Sequence, residues 1–219
     1  MKYLGIRLKI ALFIGALALI VFGGDKAYQG LRYRAPVEIS YADFVKQKPA
    51  AGWFHIKNCV FNVYRAVHFY EKNKAGAEND TSGITEIYVP AQGPKDAQFP
   101  GQHPNVSLLV ITRDPEILST YRELGDIGPN DGRAETYFLK NKNKIYAKRD
   151  VEGMVRAGLS SLSSDEAKQL QTNISPIDSD FVTLEEGKRP TFGAGLLMLL
   201  AGFALLVGQI LFYIARRGR

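Results

Sequence analysis

Cysteine is almost absent from this sequence, which excludes several classes of protein. Cys59 is the only cysteine among the 219 residues, so no disulfide can form within the chain. The three histidines, His55, His68 and His103, stand at no standard zinc-ligand spacing, either with one another or with Cys59. We therefore expect no disulfide scaffold and no metal centre. Because Cys59 falls within an apolar alternation, we expect it to be a buried structural residue.

Catalytic and cofactor motifs are missing as well. The sequence contains no G-x-G-x-x-G, no P-loop, no G-x-S-x-G and no H-E-x-x-H. We therefore predict no cofactor and no catalytic activity of its own. Two alternatives stay open, namely an enzyme acting on lipid or envelope substrates through a site of scattered residues, and a small-ligand sensor coupled to a membrane partner.

Acidic residues are missing from both ends of the chain. None occurs before Asp25 or after Glu186, whereas six of the 28 lysines and arginines lie on the outer flanks of the two terminal apolar runs, at Lys2, Arg7, Lys9, Arg216, Arg217 and Arg219. Without these six, the middle of the chain has 22 basic and 22 acidic residues and is neutral. The basic pI of about 9.3 therefore reflects the ends and not a nucleic-acid-binding face, and we predict no nucleic acid partner.

Residues 193–214 form the longest apolar run. These 22 residues carry no formal charge, and Arg216, Arg217 and Arg219 follow at once. At 1.5 Å per residue a helix of this length spans roughly 33 Å, enough to cross a hydrocarbon layer of about 30 Å. We predict a transmembrane helix over residues 191–214 and a basic tail over 215–219.

Residues 1–24 combine a basic start with a second apolar run. They fit a cleaved signal peptide ending near Gly23 and Gly24, or a retained helix over 8–24 behind a basic tail of residues 1–7. We favour the anchor because the segment lacks an A-x-A cleavage pattern. Since basic flanks stay cytoplasmic, both ends are expected inside and residues 25–190 in the periplasm, the lumen or the extracellular space.

Small residues recur every seven positions along the second apolar run, in two adjacent stripes. Such a stripe lets another helix approach closely, although small residues are also common in membrane helices generally. The expected neighbours are Gly15, Ala16 and Ala18 of the first helix, or another membrane protein. The candidate helix-packing residues are Ala194, Gly195, Ala201, Gly202, Gly208 and Gln209.

The middle of the chain alternates strand and helix patterns. Strands are predicted at residues 37–40, 53–70, 84–89, 105–112, 136–139, 144–148 and 181–184, where 53–70 is one long strand or two strands that meet near Arg65. Helices are predicted after the capping residues Ser40, Asp114 and Ser163 or Ser164. Residues 72–83 and 90–104 are predicted loops, and 151–162 are ambiguous. The predicted class is α+β, a membrane protein whose two transmembrane helices flank one mixed, strand-rich extracytoplasmic domain.

One local cluster combines basic and aromatic residues. On a predicted hairpin it would contact anionic lipid headgroups or an acidic partner, although a solvated strand and turn explains it too. The candidate contact residues are Lys140, Lys142, Lys144, Tyr146, Lys148 and Arg149.

Residues 39–44, ISYADF, resemble the start of the small extracytoplasmic domain of the FtsH family of membrane-bound AAA proteases, which also lies between two membrane helices. The resemblance implies that position in the chain alone, because no ATPase or protease motif follows. The function we expect is a membrane-anchored binding or scaffold module. Its expected partners are the lipid bilayer and either a membrane protein or a second copy of the chain.

Overall fold

The computed structural model describes residues 2–69, 84–94, 105–127, 133–157, 164–174 and 176–217. The chain divides into two compact units, Pro36–Lys188 and a second unit formed by Met1–Ala35 with Arg189–Arg219. The predicted mixed α+β class, with a strand-rich domain and long apolar helices at both ends, is confirmed. The predicted loop 72–83 and most of 90–104, including His103, lie outside the described residues.

A five-stranded barrel forms the centre of the unit Pro36–Lys188. Pairing runs from β2 through β3, β4, β6 and β5 and returns to β2, while β1 adds in parallel to one edge of β2. Only the β4–β6 contact within the barrel is parallel. The strands are β1 Val37–Ser40, β2 Ala51–Asn62, β3 Ile87–Gln92, β4 Val106–Thr112, β5 Tyr146–Ala157 and β6 Ile177–Glu186.

Two of the predicted helix starts are confirmed by their capping geometry. The Ser40 hydroxyl accepts a hydrogen bond from the backbone N–H of Asp43, and the Asp114 carboxylate accepts from Glu116 and Ile117. Such caps satisfy N–H groups that have no partner within the helix. The helices are α1 Lys2–Arg32, α2 Tyr41–Gln47, α3 Pro115–Asp126, α4 Arg133–Ile145, α5 Ser164–Asn173 and α6 Phe192–Arg217, with a short 3₁₀ turn at Val63–Arg65.

A β-bulge bends β2 so that the strand follows the curvature of the barrel. The register with β5 shifts between the pairs Ile56–Val151 and Cys59–Arg149, so that β2 has one extra residue there. Asn58 takes the left-handed conformation at φ 61°, and its N–H donates to the Asp150 carboxylate at 2.9 Å. Bulges of this kind bend a strand and increase its twist, which barrel closure requires.

The barrel interior is filled by apolar side chains. Strand β4 is buried along its whole length, because its inner face looks into the barrel and its outer face packs on a second cluster with α5. Cys59 is fully buried in the interior, and burial raises the pKa of its thiol to about 12. The fully buried interior residues include Ile56, Cys59, Phe61, Ile87, Val89, Leu108, Val110, Val151 and Leu184.

The strand prediction at 136–139 was wrong, and so was the hairpin turn that followed it. This segment is helix α4, which runs to Ile145, and β5 begins only at Tyr146. The helix is kinked at Asn141, whose φ of −111° and ψ of 17° are not helical. On its two sides Phe138, Asn141 and Ile145 still recur at three- and four-residue intervals, the first two half-buried and Ile145 fully buried. This helical period outweighs the strand preference of the local aromatic residues. The ambiguous segment after 150 continues β5 to Ala157.

The second unit consists of α1 and α6, packed antiparallel. Gly30 lies against Phe192, Gly23 against Leu199, and Gly202 against Ala16, so both chain ends lie at the same end of the pair. Both helices are long and apolar enough to cross a membrane, and only 11% of either candidate span is buried. A core helix of a soluble domain would be mostly buried. The helix α1 also extends beyond the predicted span of residues 8–24 at both ends.

Candidate functional site

The contact between α1 and α6 depends on glycines. A Cβ at position 202 would lie 2.9 Å from the Ala16 carbonyl oxygen and 2.7 Å from Ile20 Cγ1. A Cβ at Gly195 would overlap the backbone nitrogen of Ala27, and one at Gly23 would lie 2.6 Å from the nitrogen of Leu199. Side chains larger than hydrogen therefore have no room here, and the two backbones touch directly.

The α1 side of this contact has a regular spacing. Ala16, Ile20, Gly23, Ala27 and Gly30 alternate steps of four and three residues, which is a heptad pattern. A seven-residue repeat is typical of helices that wind around each other with a left-handed twist. We call this contact the glycine seam.

The structure divides the six helix-packing candidates between two faces of α6. Gly195 and Gly202 are buried in the glycine seam, whereas Ala194 and Ala201 are exposed and Gly208 has open space around it. Among the expected α1 neighbours, Ala16 is fully buried in the seam, Ala18 is half-buried and Gly15 is exposed. Gly195 and Gly202 of one predicted stripe therefore pack on α1, whereas Ala194 and Ala201 of the other face outward.

Gln209 lies beyond the last glycine of the seam, in an apolar groove between α1 and α6. Its amide nitrogen Nε2 is buried, and within the described part of the chain no group accepts a hydrogen bond from it. The groove encloses about 720 Å³. An amide donor in such a place is uncommon, because burying it unpaired costs about 1–3 kcal/mol.

The six basic and aromatic candidates fall on two different elements. Lys140, Lys142 and Lys144 are exposed on α4, whereas Tyr146, Lys148 and Arg149 belong to β5. Burial raises the pKa of the half-buried Tyr146 phenol, and the nearby Tyr64 raises it further.

Arg149 stands apart from the other basic candidates because it forms ion pairs inside the domain. Its guanidinium donates to Asp114 at 2.8 Å and to Glu186 at 2.9 Å, and it covers the ring of Phe61 with 5.4 Å between centres. Burial acts to raise the pKa of Asp114, but hydrogen bonds from Arg149 and from the α3 backbone outweigh it and hold that pKa below its ordinary value. Arg149 therefore connects β5, β6 and the start of α3.

The basic candidates Lys140 and Lys142 lie beside an exposed apolar surface whose main members, Leu139 and Tyr64, were not predicted from the sequence. Leu139 is 77% exposed, and next to it the ring of Phe138 packs edge-to-face on Tyr64, which is 56% exposed. Lys140 and Lys142 are exposed beside Leu139 on the same helix. We call Tyr64, Phe138, Leu139, Lys140 and Lys142 the Leu139 patch. Tyr64 is distant in sequence, so only folding brings it to this surface.

The histidines have separate neighbours. His55 Nδ1 lies 3.8 Å from the Glu38 carboxylate, while His68 Nδ1 and the Tyr121 hydroxyl are 2.7 Å apart. Burial lowers the pKa of His68. Within the described ranges, no group of three His, Cys, Asp or Glu side chains could hold a metal ion.

A polar cluster marks the place where β6 departs from regular pairing with β4. Three extra residues of β6 lie between the pairs Val106–Ile177 and Leu108–Val182. Here Asp178 accepts hydrogen bonds from the buried Ser107 hydroxyl and from Lys48, whose ammonium also contacts Asp180. Lys48 directly follows α2, and Asp178 and Asp180 belong to β6, so the cluster ties the end of α2 to β6.

The polar cluster around Asp178 is expected to make the stability of the domain depend on pH under acidic conditions. The hydrogen bond from Ser107 and the contacts with Lys48 hold the pKa of Asp178 below its ordinary value, against the opposing effect of burial. A lowered folded-state pKa gives stability that is complete above about pH 4 and is lost as the pH falls through the folded pKa. We expect Asp178→Asn to lower stability at pH 7 and to weaken its dependence on pH below 4, measured by urea unfolding followed through Trp53 fluorescence. The control Asp126→Asn, at an exposed position, should leave that dependence intact, and an equal effect of both variants would contradict the assignment.

No protein-family model matches this chain, and no match was found among curated proteins or among solved structures.

Proposed function

We propose that this chain is a membrane-anchored module without catalytic activity, which binds an acidic partner protein through the Leu139 patch of its barrel domain. The two apolar helices serve as the anchor. The basic residues near both chain ends favour a cytoplasmic position for the termini, and the barrel domain then lies on the extracytoplasmic side.

The observation that carries this proposal is an apolar centre within a basic rim. The side chains of Leu139 and Tyr64 are both more than half exposed, and Phe138, the neighbour of Leu139 in the sequence, packs edge-to-face on Tyr64. Glu135 is the only acidic residue between Arg133 and Ile145, whereas three lysines follow Leu139 on α4. Protein interfaces commonly combine an exposed apolar or aromatic centre with a polar rim that selects the partner.

The charge of the patch favours a different protein over a second copy of this chain. A twofold contact would place the same surface on both sides and would bring Lys140 and Lys142 against their own counterparts. Like charges across an interface are unfavourable and suppress such pairing. An acidic surface would meet both the apolar centre and the lysines.

The experiment places a photo-crosslinking amino acid at position 139 of the full chain in its native membranes. We expect a covalent adduct of one defined mass, and at least a tenfold lower yield when Lys140→Glu and Lys142→Glu are combined. A tenfold loss corresponds to about 1.4 kcal/mol, within the range of interface residues that matter. The probe tests the apolar centre of the patch, and the charge reversals test its lysines.

Lys168, which is exposed on α5, provides the matched control. The variant Lys168→Glu should leave the adduct at position 139 unchanged, and a probe placed at position 168 should not produce the same adduct. Equal adducts from both positions, or none at position 139, would refute the proposed surface. An adduct of twice the chain mass would show that the partner is a second copy of this chain and not a different, acidic protein.

A further inference from the structure

The groove that contains Gln209 lies at the end of the α1–α6 pair nearest the chain termini. It is lined by residues of α1 between Leu8 and Phe13 and by residues of α6 between Ala204 and Tyr213, and it encloses about 720 Å³. Most of these side chains are apolar, including Leu12, Phe13, Leu205 and Phe212. A cavity of this size and lining suits the hydrocarbon part of a small amphipathic ligand.

The groove begins where the glycine seam ends. Gly202 is the last glycine of α6 in contact with α1, because Gly208 has no atom within 4 Å of the place where its Cβ would be. On α1 the matching positions carry Phe13 and Lys9, which are larger than the Ala16 and Gly23 of the seam. Close backbone contact therefore gives way to an open space between larger side chains.

Two polar groups in the groove stand at different depths. The Nε2 of Gln209 is buried, with no acceptor among the described residues, and the ammonium of Lys9 lies 5.7 Å from the centre of the Phe212 ring. Gln209 and Phe212 are three residues apart, about 4.5 Å along the helix axis. The hydrogen-bond donor thus lies about 4.5 Å deeper along α6 than the ring that the Lys9 ammonium contacts.

We propose that this groove binds one anionic glycerophospholipid. An acyl chain occupies the apolar part, an ester carbonyl accepts a hydrogen bond from Gln209 Nε2, and the phosphate lies beside Lys9. In such a lipid the ester carbonyls lie one glycerol unit deeper than the phosphate, as the two polar groups of the groove require. Attraction of basic residues to anionic headgroups near the cytoplasmic end supplies the preference for a negatively charged lipid.

This inference depends on the membrane anchor of the proposed function. A neighbouring transmembrane helix would also find apolar surface in the groove, but its backbone carbonyls are already engaged within the helix. An apolar helix would therefore offer neither a free acceptor to Gln209 nor a negative charge to Lys9. The lipid meets both requirements at once.

The test titrates the full chain, purified in mild detergent and freed of lipid, with phosphatidylglycerol or phosphatidylcholine of identical acyl chains. Native mass spectrometry counts the bound molecules. We expect one phosphatidylglycerol to bind several-fold more tightly than phosphatidylcholine. Gln209→Leu should weaken both lipids about fivefold, because it removes the hydrogen bond but keeps the apolar wall. Lys9→Gln should abolish the preference between the lipids.

Arg7→Gln is the matched control, because it removes one charge two residues from Lys9 and outside the groove lining. It should keep the preference for phosphatidylglycerol. Equal binding of the two lipids to the unmodified chain, or equal effects of Arg7→Gln and Lys9→Gln, would overturn the lipid site.

Extraction of native membranes with alkaline carbonate distinguishes a failure of the proposed lipid site from a failure of the proposed membrane anchor. Release of the chain into the supernatant would overturn both the anchor and the lipid site. Retention of the chain in the membrane without a lipid preference would overturn the lipid site alone.

Discussion

Replacement of Gly153 by alanine is expected to prevent normal closure of the barrel between β5 and β6. Gly153 is buried opposite Phe54 of β2 on one side and Glu186 of β6 on the other. A Cβ at this position would overlap the Glu185 carbonyl oxygen and lie 2.7 Å from Leu184 Cδ2. The carbonyl belongs to the backbone of a paired strand and cannot move without opening the sheet. We expect the free energy of unfolding to fall by about 3 kcal/mol, at the upper end for overpacked cores.

Urea unfolding of the full chain measures this loss, because Trp53 is the single tryptophan and pairs with Met154 in the same part of the sheet. Gly187→Ala is the matched control. Gly187 has φ 74° and nothing within 4 Å of its Cβ direction, so only backbone strain of about 1–2 kcal/mol is expected there. A Gly153→Ala variant no less stable than Gly187→Ala would refute the closure argument.

Local signals in the sequence were sufficient to predict several helices and strands. Ser40 and Asp114 each precede a helix and accept backbone N–H groups in its first turn, so the start of the helix is encoded within four residues. The apolar run that became β4 was also recognisable, since a strand buried on both faces needs no alternation. These predictions succeeded because the interactions that decide them are local.

The closure of the barrel and the helical structure of α4 could not be predicted from local sequence signals. The pairing of β2 with β5 joins residues 51–62 to residues 146–157, and nothing in either segment specifies the other. In α4, aromatic residues favour a strand while the spacing of Phe138, Asn141 and Ile145 favours a helix. Tertiary burial of Ile145 decides between them.

The two stripes of small residues on α6 show that local sequence was also insufficient to predict the candidate sites. Ala194 and Gly195 begin stripes of identical spacing, so periodicity alone could not say which one packs on α1. In the structure the stripe that begins with two glycines is buried, because glycine allows the backbones closer than alanine does. For the Leu139 patch the local sequence indicated only the lysines Lys140 and Lys142, since Tyr64 reaches Phe138 only through the fold.

Replacement of Gly202 by leucine is expected to separate α1 from α6. The new side chain would have to occupy the space held by Ile20 Cγ1 and the Ala16 carbonyl oxygen. Neither helix can yield locally, because the Ala16 carbonyl is part of the α1 backbone. The helices must move apart or rotate, which loses the close backbone contact along the seam. We expect the packed form to become at least tenfold less populated, about 1.4 kcal/mol.

Crosslinking through introduced cysteines measures this separation. Gly24→Cys and Leu199→Cys lie next to each other on the two helices, since a Cβ at Gly24 would lie 3.7 Å from Leu199 Cδ1, and the buried Cys59 should not compete. A short bifunctional thiol reagent should join the pair in the parent chain and yield less than a tenth as much crosslink with Gly202→Leu. Gly208→Leu adds the same side chain to the same helix where there is open space, so it should leave the yield unchanged. If both leucine variants crosslinked equally well, the glycine seam would not hold the two helices together.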